Sequence, residues 1–122
     1  MKSFLAIAIT LLLISCSENA NLSPSNTAEI VVESFYLGDN NTLKKHTTTE
    51  GFANLTSIQN LFLKDKNSAT RFNLINEAID GEIAWVQYSV AYDPKPSVFK
   101  LVKENGSWKV THKGPRDKGP FK

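Results

Sequence analysis

The chain has one cysteine, one methionine and two histidines in 122 residues, and each scarcity closes off a class of chemistry. A single thiol, Cys16, cannot form an intramolecular disulfide. His46 and His112 stand 66 positions apart with no second cysteine to join them, so the ligand spacing of recognised zinc sites is missing. No metal or other cofactor is expected. Charge of one sign is missing too: fourteen Lys and Arg against twelve Asp and Glu give a formal net charge of +2. That is far from the strongly basic face that nucleic-acid binding needs. The sequence has no phosphate-cradling glycine loop, no nucleophile motif and no internal repeat. Its longest apolar run, Phe4 to Ile14, is well short of the roughly 20 residues that span a bilayer.

What is present starts with that run. Met1-Lys2-Ser3 precedes it, and Leu13-Ile14-Ser15-Cys16 closes it, with a small residue directly before the lone cysteine. These residues resemble the lipobox of bacterial lipoproteins. The resemblance implies a signal peptide over residues 1–15 that is cleaved off. It also implies a diacylglyceryl thioether on Cys16 and a fatty acyl group, of the palmitate type, on the new amine. Each buried methylene adds about 0.8 kcal/mol, so several chains hold a protein on a membrane. Ser17, where an aspartate would signal retention in enterobacterial lipoproteins, implies the outer membrane. The expected location is the bacterial cell envelope, lipid-anchored.

Beyond the signal the chain reads as a tether over 16–24, one domain over 25–113 and a basic Gly/Pro tail over 114–122. The stretch from Ser17 to Ser23 is too polar to order itself. At roughly 3.3 Å per residue the tether reaches no more than about 26 Å, which keeps the domain near the membrane.

The first half of the domain has helical period. Asn26 with Glu29 three positions later suggests a capping box, followed by Ala28, Val31, Val32 and Phe35, and Gly38 ends the helix. Asn40 and Asn41 offer caps for a short second helix through His46. Thr49 and Glu50 open a third that carries Phe52, Leu55, Ile58, Leu61 and Phe62. The second half changes to strand period. Asp80-Gly81 and Asn105-Gly106 are type I′ turn signals between runs of strand formers, which predicts strands over 70–79, 82–92, 97–104 and 107–113. Asp93-Pro94-Lys95-Pro96 reads as the loop between the two hairpins. The fold class is therefore α+β, with N-terminal helices packed on an antiparallel meander. Alternation puts Ala84, Val86, Tyr88, Val90 and Tyr92 on the core face and Ile83, Trp85 and Gln87 on the other. Phe99, Leu101, Trp108 and Val110 belong to the core face as well.

Order and motifs here resemble the nuclear transport factor 2-like superfamily, in particular cystatin-like or lumazine-binding-protein-like lipoprotein domains. The matching pieces are Leu37-Gly38-Asp39, Ala84-Trp85-Val86 after Asp80-Gly81, and the stretch from Phe99 to Val110 through Asn105-Gly106-Ser107-Trp108. The resemblance implies a curved sheet wrapping the helices into a cone whose open end holds a ligand in some members.

Enzymes of that superfamily place an Asp or His base with a Tyr or His partner inside the cone. No convincing pair stands out in this chain. His46 is the best isolated candidate, with Tyr88 and Tyr92 as inward hydroxyls; the competing readings are a surface helix residue beside Lys44 and Lys45, and core-edge tyrosines. The reading that follows is a non-catalytic, membrane-tethered binding or interaction module. An isomerase or dehydratase using the cone and a toxin-immunity lipoprotein are the alternatives. Its expected partners are the membrane, through the anchor, and a protein or second copy through the sheet face around Ile83, Trp85 and Gln87. An outward tryptophan needs cover. Either such a partner supplies it, or the chain's own tail does through Pro115, Pro120 and Phe121. Lys113 and the tail's Arg116, Lys118 and Lys122 read first as a solvated end, with contact to anionic lipid headgroups as the alternative.

Overall fold

The computed structural model describes residues 22–65, 69–112 and 117–121. Cys16, the signal segment and Pro115 lie outside the described residues. Among the described residues three helices come first: α1 (Pro24–Leu37), α2 (Asn40–Lys45) and α3 (Thr49–Ile58), the last running into a 3-10 turn (Gln59–Leu61). Four strands follow, β1 (Asn73–Asp80), β2 (Ile83–Val90), β3 (Asp93–Glu104) and β4 (Ser107–Thr111). They form one open antiparallel sheet in sequence order. The fold is α+β, as the change of period predicts.

The cap of α1 is Ser23 rather than Asn26. The Ser23 hydroxyl accepts the Asn26 N–H at 3.1 Å, and Pro24 sits at the first helical position, where its missing N–H costs nothing. The first turn holds no acidic side chain of its own. Glu77 supplies one from β1, its carboxylate accepting the Ser25 N–H at 2.8 Å. At the other end Gly38 takes φ +73, and the N–H groups of Gly38 and Asp39 return to the Phe35 and Ser34 carbonyls. Asp39 then caps α2, accepting from the backbone N–H and the hydroxyl of Thr42. Thr48 caps α3 through the Gly51 N–H.

Ala28, Val31, Val32 and Phe35 of α1 meet Ala84, Val86 and Tyr88 of β2, Leu101 of β3, and Trp108 and Val110 of β4 in a single core, joined by Leu43 of α2. Each fully buried aliphatic side chain contributes about 1.5–3 kcal/mol. The face assignments from alternation hold within the strands, except that β2 ends at Val90 and Tyr92, expected on its core row, lies in the turn beyond. The apolar row of the third helix does not continue inward: Ile58 at the end of α3 is exposed, and so are Leu61 and Phe62, where the chain has tightened into the 3-10 turn and lost the 3.6-residue period.

Two turn details depart from expectation. Asp80 pairs with Ile83, so the first hairpin turns at Gly81-Glu82, and only Gly81 has positive φ there. That is the type II′ pattern, with glycine first; Asn105-Gly106, positive at both residues, has the I′ signature. The larger correction concerns Asp93 to Pro96, which opens β3 instead of forming a loop. Tyr88 pairs with Ser97 but Val90 with Asp93, so residues 94–96 form a bulge outside the regular register. Both prolines fall in that bulge, where no ladder bond is asked of them.

The outer edge of β4 is covered. Thr48 N–H donates to Val110 O and Val110 N–H to His46 O, each at 2.9 Å, so residues 46–48 run beside β4 as a short parallel bridge.

Candidate interaction surface

Trp85 projects from the face of the sheet opposite the helices, between Ala78 on β1 and Lys100 on β3. It is half-buried, and the cover comes from residues 117–121. Gly119 lies on the indole so closely that a β-carbon there would collide with ring atoms Cγ, Cδ1 and Cδ2. The indole Nε1–H donates to Asp117 Oδ1 at 3.2 Å, and the Lys100 ammonium pairs with Asp117 Oδ2 at 2.8 Å. Asp117 Oδ1 also accepts the Gly119 N–H at 3.0 Å, and Phe121 N–H returns to Lys118 O at 3.1 Å. The segment is a self-bonded turn seated on an aromatic shelf. The Lys100 ammonium first, then the Gly119 and Trp85 N–H donors, hold the Asp117 carboxyl below the usual carboxylate range.

A cleft of about 430 Å³ adjoins the shelf. Asn54 and Leu55 of α3 form one wall, residues 95–100 of β3 the other, and His112, Asp117 and Lys118 close it. Lys100 and Asp117 belong to both shelf and cleft. With that pair matched, Lys95 and Lys118 remain beside the single carboxylate of Asp93, a lining that suits an anionic or acidic ligand.

The residues nominated for a pocket stand elsewhere. His46 is the C-cap of α2, buried rather than on the surface, and its carbonyl forms the bridge to β4. Burial, then Lys109 and Lys45, push its imidazole below the ordinary histidine range. Tyr88 lies inside the core between Phe72 and Phe99, where burial drives its phenol strongly upward. Tyr92 follows β2 in the turn, packed against Tyr36 and under the Lys64 ammonium, and its hydroxyl is buried with no hydrogen-bond partner among the described residues. None of the three lines the cleft. Ile83 and Gln87 do flank Trp85 on the outer face, Gln87 accepting a bond from Asn76 at 3.0 Å.

Lys100, Asp117 and Gly119 carry the shelf and were not singled out from sequence. Their signal is composite: an outward tryptophan, a lysine opposite it in register, and an Asp-X-Gly turn near the end of the chain. Among the described residues no helix is long and apolar enough to cross a membrane, and no group of three potential metal ligands gathers. Comparison with family models, with curated proteins and with solved structures finds no match to the chain.

Proposed function

We propose that this chain is a lipid-anchored protein of the bacterial envelope whose domain, of the nuclear transport factor 2-like kind, is a non-catalytic interaction module. The anchor is Cys16, read from the Leu13-Ile14-Ser15-Cys16 lipobox, and the destination is the outer membrane. The helices-then-meander order supports the fold resemblance, and the bulges at Ile75 and at residues 94–96, which bend strands, are compatible with a curved sheet. His46, Tyr88 and Tyr92 spend their side chains or backbone on packing, which favours binding over catalysis.

The observation that carries the reading is the Trp85 shelf. An aromatic anchor stands on the solvent side of the sheet, and a five-residue turn is what covers it. Aromatic side chains dominate the energetics of protein contacts.

Two measurements test the two halves. In bacteria, labelled palmitate enters the parent chain and Cys16→Ala abolishes both labelling and processing; a labelled Cys16→Ala protein overturns the anchor. A photo-crosslinking residue at Gln87 gives a discrete adduct in cells and one at Glu29, on α1, gives none. Equal yields at both positions overturn the outer face as the binding surface.

A further inference from the structure

We infer that the Trp85 shelf is a receptor for an Asp-X-Gly turn presented by a partner protein, and that residues 117–121 occupy it as an intramolecular competitor. The inference rests on the reading of the outer face as a binding surface and adds the chemistry of what binds.

The seated tail shows which features the shelf reads. Its carboxylate is held at both oxygens, Oδ1 by the indole N–H and Oδ2 by the Lys100 ammonium. A glutamate in that place would carry the next residues off the ring by one methylene. Two positions later only glycine fits, for two separate reasons. A β-carbon would enter the indole, and φ +59 is a left-handed conformation that glycine adopts without steric cost. The turn also supplies its own geometry through the bonds from Gly119 N–H to Asp117 and from Phe121 N–H to Lys118. A donor segment therefore arrives with its conformation already set, which lowers the entropy lost on docking. The side chain between Asp and Gly makes none of these bonds, so the shelf leaves it free.

The seated tail is also displaceable. Its ion pair is solvent-accessible, with Asp117 exposed at 38% and Lys100 half-buried at 23%, and such pairs are weak. Covalent linkage, which sets an effective concentration in the mM range, keeps it in place. A partner segment with the same turn also reaches the cleft, which opens where Asp117 and Lys118 of the seated tail had closed it. Lys100 lines the cleft as well as the shelf, so a longer acidic segment continues from one into the other toward Lys95 and His112. The chemistry it must present is an Asp-X-Gly turn with acidic neighbours.

The probe is a fluorescent synthetic peptide of residues 115–122, titrated by anisotropy against the folded chain. Gly119→Ala keeps the tail but unseats it, and this variant binds the peptide more tightly than the parent by one plus the ratio of the tail's effective concentration to the peptide's Kd, about tenfold for about 1 mM against about 0.1 mM. Adding Lys100→Glu abolishes binding, and so does asparagine for the aspartate of the peptide. Far-UV circular dichroism confirms that these solvent-facing substitutions leave the fold intact. Equal affinity of parent and Gly119→Ala, or binding that survives Lys100→Glu, overturns the inference. A concentration-dependent dimer of the parent that Gly119→Ala dissolves also overturns it, because the occupant is then a second copy's tail. The Gln87 cross-link is independent of these titrations: if it persists while the peptide fails, the face binds through other chemistry.

Discussion

Gly51 on α3 lies against the carbonyl oxygen of Val110 on β4, so near that a β-carbon would stand 2.5 Å from that oxygen and 3.2 Å from Thr111 Cα. The same oxygen accepts the Thr48 N–H at 2.9 Å, so cap, helix and sheet edge meet at one atom. Alanine improves helix propensity over glycine by about 1 kcal/mol, but overpacking costs about 1–3 kcal/mol. Backbone is slow to yield, and the second term wins. Gly51→Ala is expected to lower stability by up to about 2 kcal/mol, or several degrees in melting temperature. A variant melting at or above the parent would show that α3 stands off the sheet.

Trp108 is 7% exposed and packs in the shared core, with the Lys103 ammonium 5.3 Å above its ring. Truncation there leaves a large cavity. Trp108→Ala is expected to cost about 3–5 kcal/mol in chemical denaturation, a large share of the stability of a small domain. A parent-like midpoint would move Trp108 to the outer face.

Tyr92 offers a contrast, since its ring packs on Tyr36 with centroids 5.0 Å apart while its buried hydroxyl has no partner among the described residues. Removing the oxygen takes away a desolvated group and breaks no bond. Tyr92→Phe is expected to leave the urea midpoint unchanged or raise it, by up to about 1 kcal/mol at constant m-value. A loss of more than that would reveal a hydrogen bond to the hydroxyl.

His46 titrates below the ordinary value because burial, and then Lys109 and Lys45, oppose its charged form. The unfolded chain therefore takes up the proton first as pH falls. The stability this group contributes is whole above the unfolded value near 6.5 and is lost as pH drops from there toward the lowered folded value. Thermal melts between pH 7 and pH 5 should show the decline, and His46→Gln should flatten it. An unchanged slope in the variant would assign the pH dependence to other groups.

Much of the sheet could be read from the chain because two glycines punctuate it and burial alternates from Ile83 to Tyr88. Burial of one row, Ala84, Val86 and Tyr88, then fixes the face. The start of β3 could not be read this way. Whether Pro94 and Pro96 break a strand depends on the register between Tyr88 and Ser97, a non-local property. His46 was misplaced for a similar reason, since the lysines beside it suggest solvent while its carbonyl is committed to β4, 64 residues on. The shelf was half legible: alternation turns Trp85 outward, but the match of Lys100 to Asp117 exists only after β2 and β3 are paired and the tail returns.

The bridge at residues 46–48 closes one margin of the sheet and leaves the other different in kind. β1 carries no proline and no lysine, and Leu74, Ile75 and Ile79 along it are exposed. Backbone groups with no strand partner among the described residues, beside apolar side chains, are the kind of edge on which further strands can pair. Among the described residues the sheet is therefore asymmetric across its width: β4 is matched by the 46–48 bridge, while β1 is interrupted only by the bulge at Ile75 and the acidic side chains of Glu77 and Asp80.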